Sequence, residues 1–386
     1  LLRHLIDAKA TVVGMGTSPF QGAHIRYLRY ALPAVQPSKD IIVDEASARL
    51  RRAATVAAQA RLLKRDGFEP DVMLVHSGWG EALYLKDIFP RAKLVCYCEF
   101  FYRRSEADVG FDPEFPVASL DVLHRLRMRN AFELASLEEA VAGISPTAWQ
   151  RYTYPKEFHD KIAVMHEGVD LAAMADVPQS AEAAWRATLG FGPTTPVVSY
   201  VARYLEPYRG FHTFMRSLPA LQARLPDAHA IVVGSEKGGY GRSPGNDRSW
   251  KDVLLGEVSD ALDQTRIHFL GKLTYRNYVA VSRLSNLHIY LTYPFVLSWS
   301  ALEAMAMGRA IVASNTPPVR EFMTDGTTAR IVDFFDSPGL ATAAAELLGN
   351  PAERQRLGEN ARALIAERRL DRRDASERLY RFIRGL

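Results

Sequence analysis

Tyr293-Pro-Phe-Val-Leu-Ser-Trp-Ser-Ala-Leu-Glu303-Ala-Met-Ala-Met-Gly308 follows the apolar run Leu287-His-Ile-Tyr-Leu291 and leads into a second, Ala310-Ile-Val-Ala-Ser314. The order reads as strand, loop, helix and strand, with the helix opening at Ser298 to Ser300. Either serine can cap that helix, and free backbone N–H groups at such an end attract an anion such as a phosphate. Glu303 stands one turn further in, where its carboxylate can face a ribose diol. A nucleoside-diphosphate site is one reading of the stretch, and a plain buried βα crossover is the other.

With 386 residues, 48% hydrophobic and 24% charged, the chain is long enough for two domains with separate cores. No apolar run reaches membrane-spanning length, and Leu1-Leu-Arg-His lacks the apolar region of a signal peptide. A soluble cytoplasmic protein is therefore expected. Because the first residue is not Met and the first strand-like run is Thr11-Val-Val-Gly14, the chain is expected to start inside a helix, with an earlier strand missing.

The formal charge is +4, and much of the excess lies in Glu367-Arg-Arg-Leu-Asp-Arg-Arg-Asp and Arg378-Leu-Tyr-Arg-Phe-Ile-Arg. Such arginines form a solvated helical face or, peripherally, touch an anionic membrane surface; no motif for nucleic acid accompanies them. The only cysteines, Cys96 and Cys98, alternate along one strand and read as small buried thiols rather than a disulfide framework or metal site.

Short apolar runs alternate with helical stretches throughout, the pattern of βα units and parallel sheets. In the first half strands are expected at Thr11 to Val13, Ile41 to Val43, Val72 to Val75, Leu94 to Cys98, Ala142 to Ile144 and Ile162 to Val164, with helices at Ala46 to Leu63 and Asp121 to Leu137. In the second half they are expected at Val197 to Val201, Ala230 to Val233, Ile267 to Leu270, Leu287 to Leu291, Ala310 to Ala313 and Ala329 to Val332. Glu167-Gly-Val-Asp170 before an alanine-rich segment reads as a hinge. This gives an α/β chain with domains at 1–170 and 171–366 and a terminal helix at 367–386.

Ligands of open α/β sheets bind outside the carboxyl ends of the strands. Polar clusters of the second half fall there, the most chemically explicit being Val201-Ala-Arg203-Tyr-Leu-Glu-Pro-Tyr-Arg209-Gly. Departure of a nucleoside diphosphate builds negative charge that two guanidiniums can stabilise. No Asp-x-Asp pair, His-Glu-x-x-His or paired-Cys motif supports a metal, and Gly14-Met-Gly16 has no third glycine for a dinucleotide fingerprint.

Val201-Ala-Arg-Tyr-Leu-Glu-Pro-Tyr-Arg-Gly210, Ile231-Val-Val-Gly-Ser235, His268-Phe-Leu-Gly271, Ala301-Leu-Glu-Ala-Met-Ala-Met-Gly308 and Thr316-Pro-Pro-Val-Arg-Glu321 together resemble the retaining glycosyltransferases of family 4, which have the GT-B fold. Ile144-Ser-Pro-Thr147 and His166-Glu-Gly-Val-Asp170 fit the same family, so the resemblance covers nearly the whole chain. It implies two Rossmann-like domains, a nucleotide-sugar donor in the second, a glycan, glycolipid or small-molecule acceptor in the first, and no cofactor or metal. Bacterial polysaccharide or glycolipid assembly is the implied setting.

By position the resemblance assigns the diphosphate to Arg203 and Arg209, the ribose to Glu303, the phosphates to the backbone around Leu297, Ser298, Trp299 and Ser300, and the neighbourhood of the base to Gly234, Lys272 and Leu273. Two departures stand out. Phe295 occupies the place of a second Glu that touches the donor sugar, so an aromatic wall toward the sugar is expected there; Glu99 stands where the family commonly carries His and is the candidate catalytic contact to donor or acceptor in the first half, or else only a partner of Arg103 or Arg104. His76, Gly78, Trp79, Tyr102 and Arg103 are further acceptor-side candidates on loops after strands, although packed loop residues would read alike. The resemblance also implies that the terminal helix returns to the first domain, with Tyr380 or Phe382 buried. A transfer-inactive nucleotide- or glycan-binding module and a nucleotide-sugar epimerase are the alternative functions.

Overall fold

The computed structural model describes residues 5, 9–20, 25–34, 36–117, 119–245 and 247–386. The expected helical start at Leu1-Leu-Arg lies outside them. The chain forms two compact units: one ends at Glu167 and also includes Arg373–Leu386, and the other is Gly168–Arg372.

In the first unit β1 (Val13–Gly16) and β2 (Arg26–Arg29) form a parallel pair. A separate four-stranded parallel sheet runs β3 (Val72–His76), β4 (Lys93–Tyr97), β5 (Ala142–Ser145), β6 (Ile162–Val164). Leu63, Leu94, Leu137 and Ile162 centre its core, and both Cys96 and Cys98 are buried there, as expected of small thiols.

The expected strand at Ile41 to Val43 is instead the start of the helix Ile41–Arg65. The Asp40 carboxylate accepts from the N–H groups of Ile42 and Val43, and this cap outweighs the β preference of three branched side chains. The strand Arg26–Arg29 has only two half-buried residues, Tyr27 and Leu28, between exposed arginines, too weak a pattern to read in sequence. The terminal helix Arg372–Gly385 packs less deeply than expected: Ala375 is its one buried residue, whereas Tyr380 and Phe382 are half-buried.

The second unit holds six parallel strands: β7 (Val197–Tyr204), β8 (His229–Ser235), β9 (Ile267–Gly271), β10 (Leu287–Tyr290), β11 (Ala310–Ser314) and β12 (Arg330–Val332), in the order β12-β11-β10-β7-β8-β9. Val197, Val198, Ile231, Val232, Leu287, Ile311 and Val312 are fully buried, as strands covered on both faces require. From β7 the chain builds outward through β8 and β9, then returns to the other side of β7 with β10. The connections leaving β7 and β10 therefore diverge, and such a switch point opens a crevice at the carboxyl edge.

At the beginning and end of this unit, Val169 and Asp371 lie side by side as an isolated parallel bridge. Gly168 has φ +76, and a Cβ on it would stand 2.8 Å from the Asp371 carbonyl oxygen, so only glycine fits. Among the described residues, no helix is long and apolar enough to cross a membrane.

Candidate functional site

β7 ends in Arg203 and Tyr204, and the connection leaving it carries a 3-10 turn, Pro207–Arg209, which Gly210 at φ +69 joins to the helix Phe211–Arg224. Arg203 is exposed, its guanidinium 5.4 Å from the ring centre of Tyr204. Arg209 points inward and is only 7% exposed. One terminal nitrogen donates to Thr292 Oγ1 at 2.9 Å and to the Val296 carbonyl at 2.7 Å, so Arg209 clamps the connection that leaves β10.

Phe295 lies on that connection. Its ring centre is 5.4 Å from the Arg209 guanidinium, and the Tyr208 ring meets it edge-on at 5.5 Å. At 4% exposure Phe295 is part of a packed aromatic cluster with Tyr208 and Tyr240, not the open wall expected from sequence. Arg209 explains this packing: it forms no ion pair among the described residues, and a buried guanidinium so placed is accommodated by aromatic faces and carbonyl oxygens.

Glu206, buried between the two arginines in sequence, accepts from the Tyr240 and Gly241 backbone N–H groups at 2.9–3.0 Å. It ties the glycine-rich segment after β8 to the connection after β7. Burial pushes its carboxyl up, with those two N–H groups pulling the other way. Gly234, at the end of β8, has no room for a side chain, since a Cβ would lie 2.6 Å from the Ala202 carbonyl oxygen.

Ser298 caps the helix Trp299–Ala306 as the sequence predicts, its hydroxyl accepting from the Ser300 N–H at 3.2 Å. Its own N–H donates to the Tyr290 hydroxyl at 2.7 Å. Leu297 is buried in the core and Trp299 is 56% exposed, so the two neighbours of the cap face opposite environments. Glu303, 9% exposed, lies beside the Tyr278 and Tyr275 phenols, which stand three residues apart on the helix Tyr275–Leu284. Burial pushes the Glu303 carboxyl up, and the two phenols oppose that shift. Lys272 is exposed on the loop before that helix, while Leu273 packs half-buried against the clusters that contain Val279 and Val281.

In the first unit, His76 and Glu99 extend from the carboxyl ends of neighbouring strands β3 and β4, with Nε2 of His76 3.2 Å from Glu99 Oε2. Trp79 is 52% exposed and stacks on His76, ring centres 4.4 Å apart. Nδ1 of His76 is buried without a partner. Gly78 is buried, and a Cβ there would fall 2.9 Å from Glu133 Oε1 and 3.2 Å from His76 Cε1. Glu133 itself is pushed up to about 7 by burial, against the hydrogen bond from Tyr154.

Tyr102 and Arg103 contact other residues. Tyr102 exchanges two hydrogen bonds with Asn130 and lies under the Arg129 guanidinium; Arg103 lies over Tyr152. Sequence reasoning missed Glu206, Tyr240, Tyr275 and Tyr278. Only Glu206 carried a signal, as the one acid between the two arginines opposite Gly238-Gly-Tyr-Gly241.

Residues 8–174 match the glycosyl transferase family 4 group, and residues 182–364 match glycosyl transferases group 1. A phosphatidyl-myo-inositol mannosyltransferase of Mycolicibacterium smegmatis is 29% identical over 220 residues, 56% of this chain and 46% of that protein. A D-inositol 3-phosphate glycosyltransferase of a Mycobacterium species is 30% identical over 198 residues, 51% of this chain and 42% of that one. The chain thus matches less than half the length of these two relatives. Among solved structures, sucrose-phosphate synthase of Thermosynechococcus elongatus superposes with a TM-score of 0.74 at 18% identity, covering 99% of this chain and 90% of that one. Anabaena HepE in complex with UDP-glucose gives 0.70 at 16%, covering 97% and 100%. The two family matches, following one another along nearly all of a chain built from parallel α/β units, establish that it belongs to the group 1 glycosyl transferases of family 4, with the GT-B fold.

Proposed function

We propose that the protein transfers a sugar from a nucleoside-diphosphate sugar to an acceptor hydroxyl with retention of anomeric configuration and without a metal. The acceptor oxygen attacks the anomeric carbon from the side of the leaving group. The bond from that carbon to the diphosphate breaks, and the hydroxyl proton passes to the departing phosphate oxygen.

What supports this reading most is that Arg203, at the carboxyl end of β7, and the Ser298-capped helix with Glu303, on the connection that leaves β10, stand where the strand order reverses. Arg203, exposed, meets the diphosphate. Arg209, buried, contributes a fixed positive charge and holds the β10 connection in place. Glu303, beside its two tyrosines, accepts from the ribose hydroxyls.

The first unit takes the acceptor, with Glu99, His76 and the exposed Trp79 as contacts. An acceptor of the glycolipid or inositol kind is supported by the two relatives, whose names give phosphatidyl-myo-inositol and inositol 3-phosphate. Peripheral contact with a membrane follows only if the acceptor is lipid-borne. The deciding experiment is a thermal-shift screen of UDP- and GDP-sugars, followed by nucleotide release with inositol-type acceptors and determination of the product's anomeric configuration. Release that depends on acceptor, persists in EDTA and gives a retained product supports the proposal. Saturable nucleotide binding with no transfer from any donor replaces it with a binding module.

A further inference from the structure

A cavity of about 420 Å³ in the first unit is lined by Thr17, Arg29, Tyr30, Ala31, Leu32 and Arg52. Four of these residues follow the final turns of β1 and β2: Thr17 comes directly after Gly16, and Tyr30 to Leu32 directly after Arg29. The cavity thus lies outside the carboxyl ends of two parallel strands, the edge where α/β proteins hold ligands, and its volume is that of a small-molecule site.

Its charge is unbalanced. Glu81 is bonded to two of its lining residues: its carboxylate accepts from the buried Tyr30 hydroxyl and pairs with Arg52 at 3.3 Å. Arg29 is exposed, donates through Nε to the Thr17 carbonyl at 3.1 Å, and pairs with no carboxylate among the described residues. Two guanidiniums therefore face one carboxylate, and the terminal nitrogens of Arg29 have forked donors to offer. Burial beside Glu81 pushes the Tyr30 phenol up to about 12, so it stays a neutral donor and adds no negative charge. Arg52 also lies 5.7 Å from the Trp79 ring centre, which joins the cavity to the exposed indole.

We propose that this cavity binds a phosphate ester carried by the acceptor, with Arg29 and Arg52 as its cationic contacts and the polyhydroxylated ring of the acceptor on Trp79. This rests on the first unit being the acceptor half. Guanidinium forks match phosphate oxygens two at a time, and a planar indole suits the apolar face of a ring.

The test is calorimetric titration of full-length protein, with UDP or GDP present, by myo-inositol and by myo-inositol phosphate. A parallel arm measures sedimentation with phosphatidylcholine vesicles with and without phosphatidylinositol. The wild type is expected to prefer the phosphorylated ligand in at least one arm, and the arm that shows it identifies a soluble or lipid-borne phosphate. Arg29→Ala should lower that preference about ten-fold, the scale of one charge-assisted hydrogen bond, with Arg29→Lys in between and UDP or GDP affinity unchanged. Because Arg29 is exposed, the variant folds. Normal nucleotide binding with a phosphate preference that is absent, or indifferent to Arg29→Ala and Arg52→Ala, overturns the cavity assignment alone. No nucleotide binding by the wild type overturns the functional reading beneath it.

Discussion

Arg203 and Arg209 look equivalent in sequence, yet replacing them should have opposite consequences. Arg209→Ala removes a buried guanidinium that donates at 2.9 Å to Thr292 Oγ1 and at 2.7 Å to the Val296 carbonyl, and that lies 5.4 Å and 5.6 Å from the ring centres of Phe295 and Tyr240. Each charged hydrogen bond contributes about 1.5–3 kcal/mol, and the ring contacts about 1 kcal/mol each. Returning the guanidinium's desolvation offsets part of this, leaving a loss of roughly 3 kcal/mol. For a unit of this size that lowers Tm by about 6–12 °C. Arg203→Ala removes an exposed side chain, so its effect on stability should stay within about 0.5 kcal/mol. Its turnover, however, should fall on the order of 10²-fold if it stabilises the leaving diphosphate. Differential scanning fluorimetry and nucleotide release on both variants separate the two roles. Equal melting temperatures, or a larger loss for Arg203→Ala, would refute the division.

Gly210→Ala combines a left-handed backbone at φ +69 with a Cβ 2.3 Å from that of Leu291, whereas Gly190 has φ +70 and nothing within 4 Å. Urea midpoints should show about 1–2 kcal/mol lost for Gly190→Ala and at least about 3 kcal/mol for Gly210→Ala. Glu133, raised in the folded state to about 7, binds a proton that the unfolded chain releases near its ordinary pKa, so it favours the fold at acid pH. Stability should therefore fall between about pH 4.5 and 7 and level off above, by at most on the order of 3 kcal/mol, and Glu133→Gln should flatten that slope in urea titrations across pH. Burial pushes the Cys96 thiol up to about 12 and the Cys98 thiol up as well. Neither should react with iodoacetamide until the protein unfolds, and mass spectrometry of native and denatured samples checks this.

The second half was legible because its central strands β7, β8, β10 and β11 are short, mostly buried apolar runs, and because Ser298 both starts a helix and follows such a run. What sequence could not show was direction. Nothing in Arg203 to Arg209 distinguishes an exposed guanidinium from a buried one; the inward turn of Arg209 depends on Thr292 and Val296, more than 80 residues away. Phe295 was misread for the same reason, since its packing partners Tyr208 and Tyr240 come from two other connections. In the first half, Ile41-Ile-Val43 carried a strand's composition, and the deciding atom was the Asp40 carboxylate one residue before it. The pair of tyrosines beside Glu303 needed the i, i+3 geometry of one helix packed near another.

Titration of UDP and GDP onto the wild type, Arg203→Ala and Glu303→Gln, each also with the 2′-deoxynucleotide, tests the donor site most directly. Saturable binding of at least one diphosphate is expected, weakened by Arg203→Ala, with Glu303→Gln erasing the wild-type preference for the ribose form. A wild type that binds neither nucleotide, or both variants binding as the wild type does, would contradict the placement of the donor on the connections leaving β7 and β10.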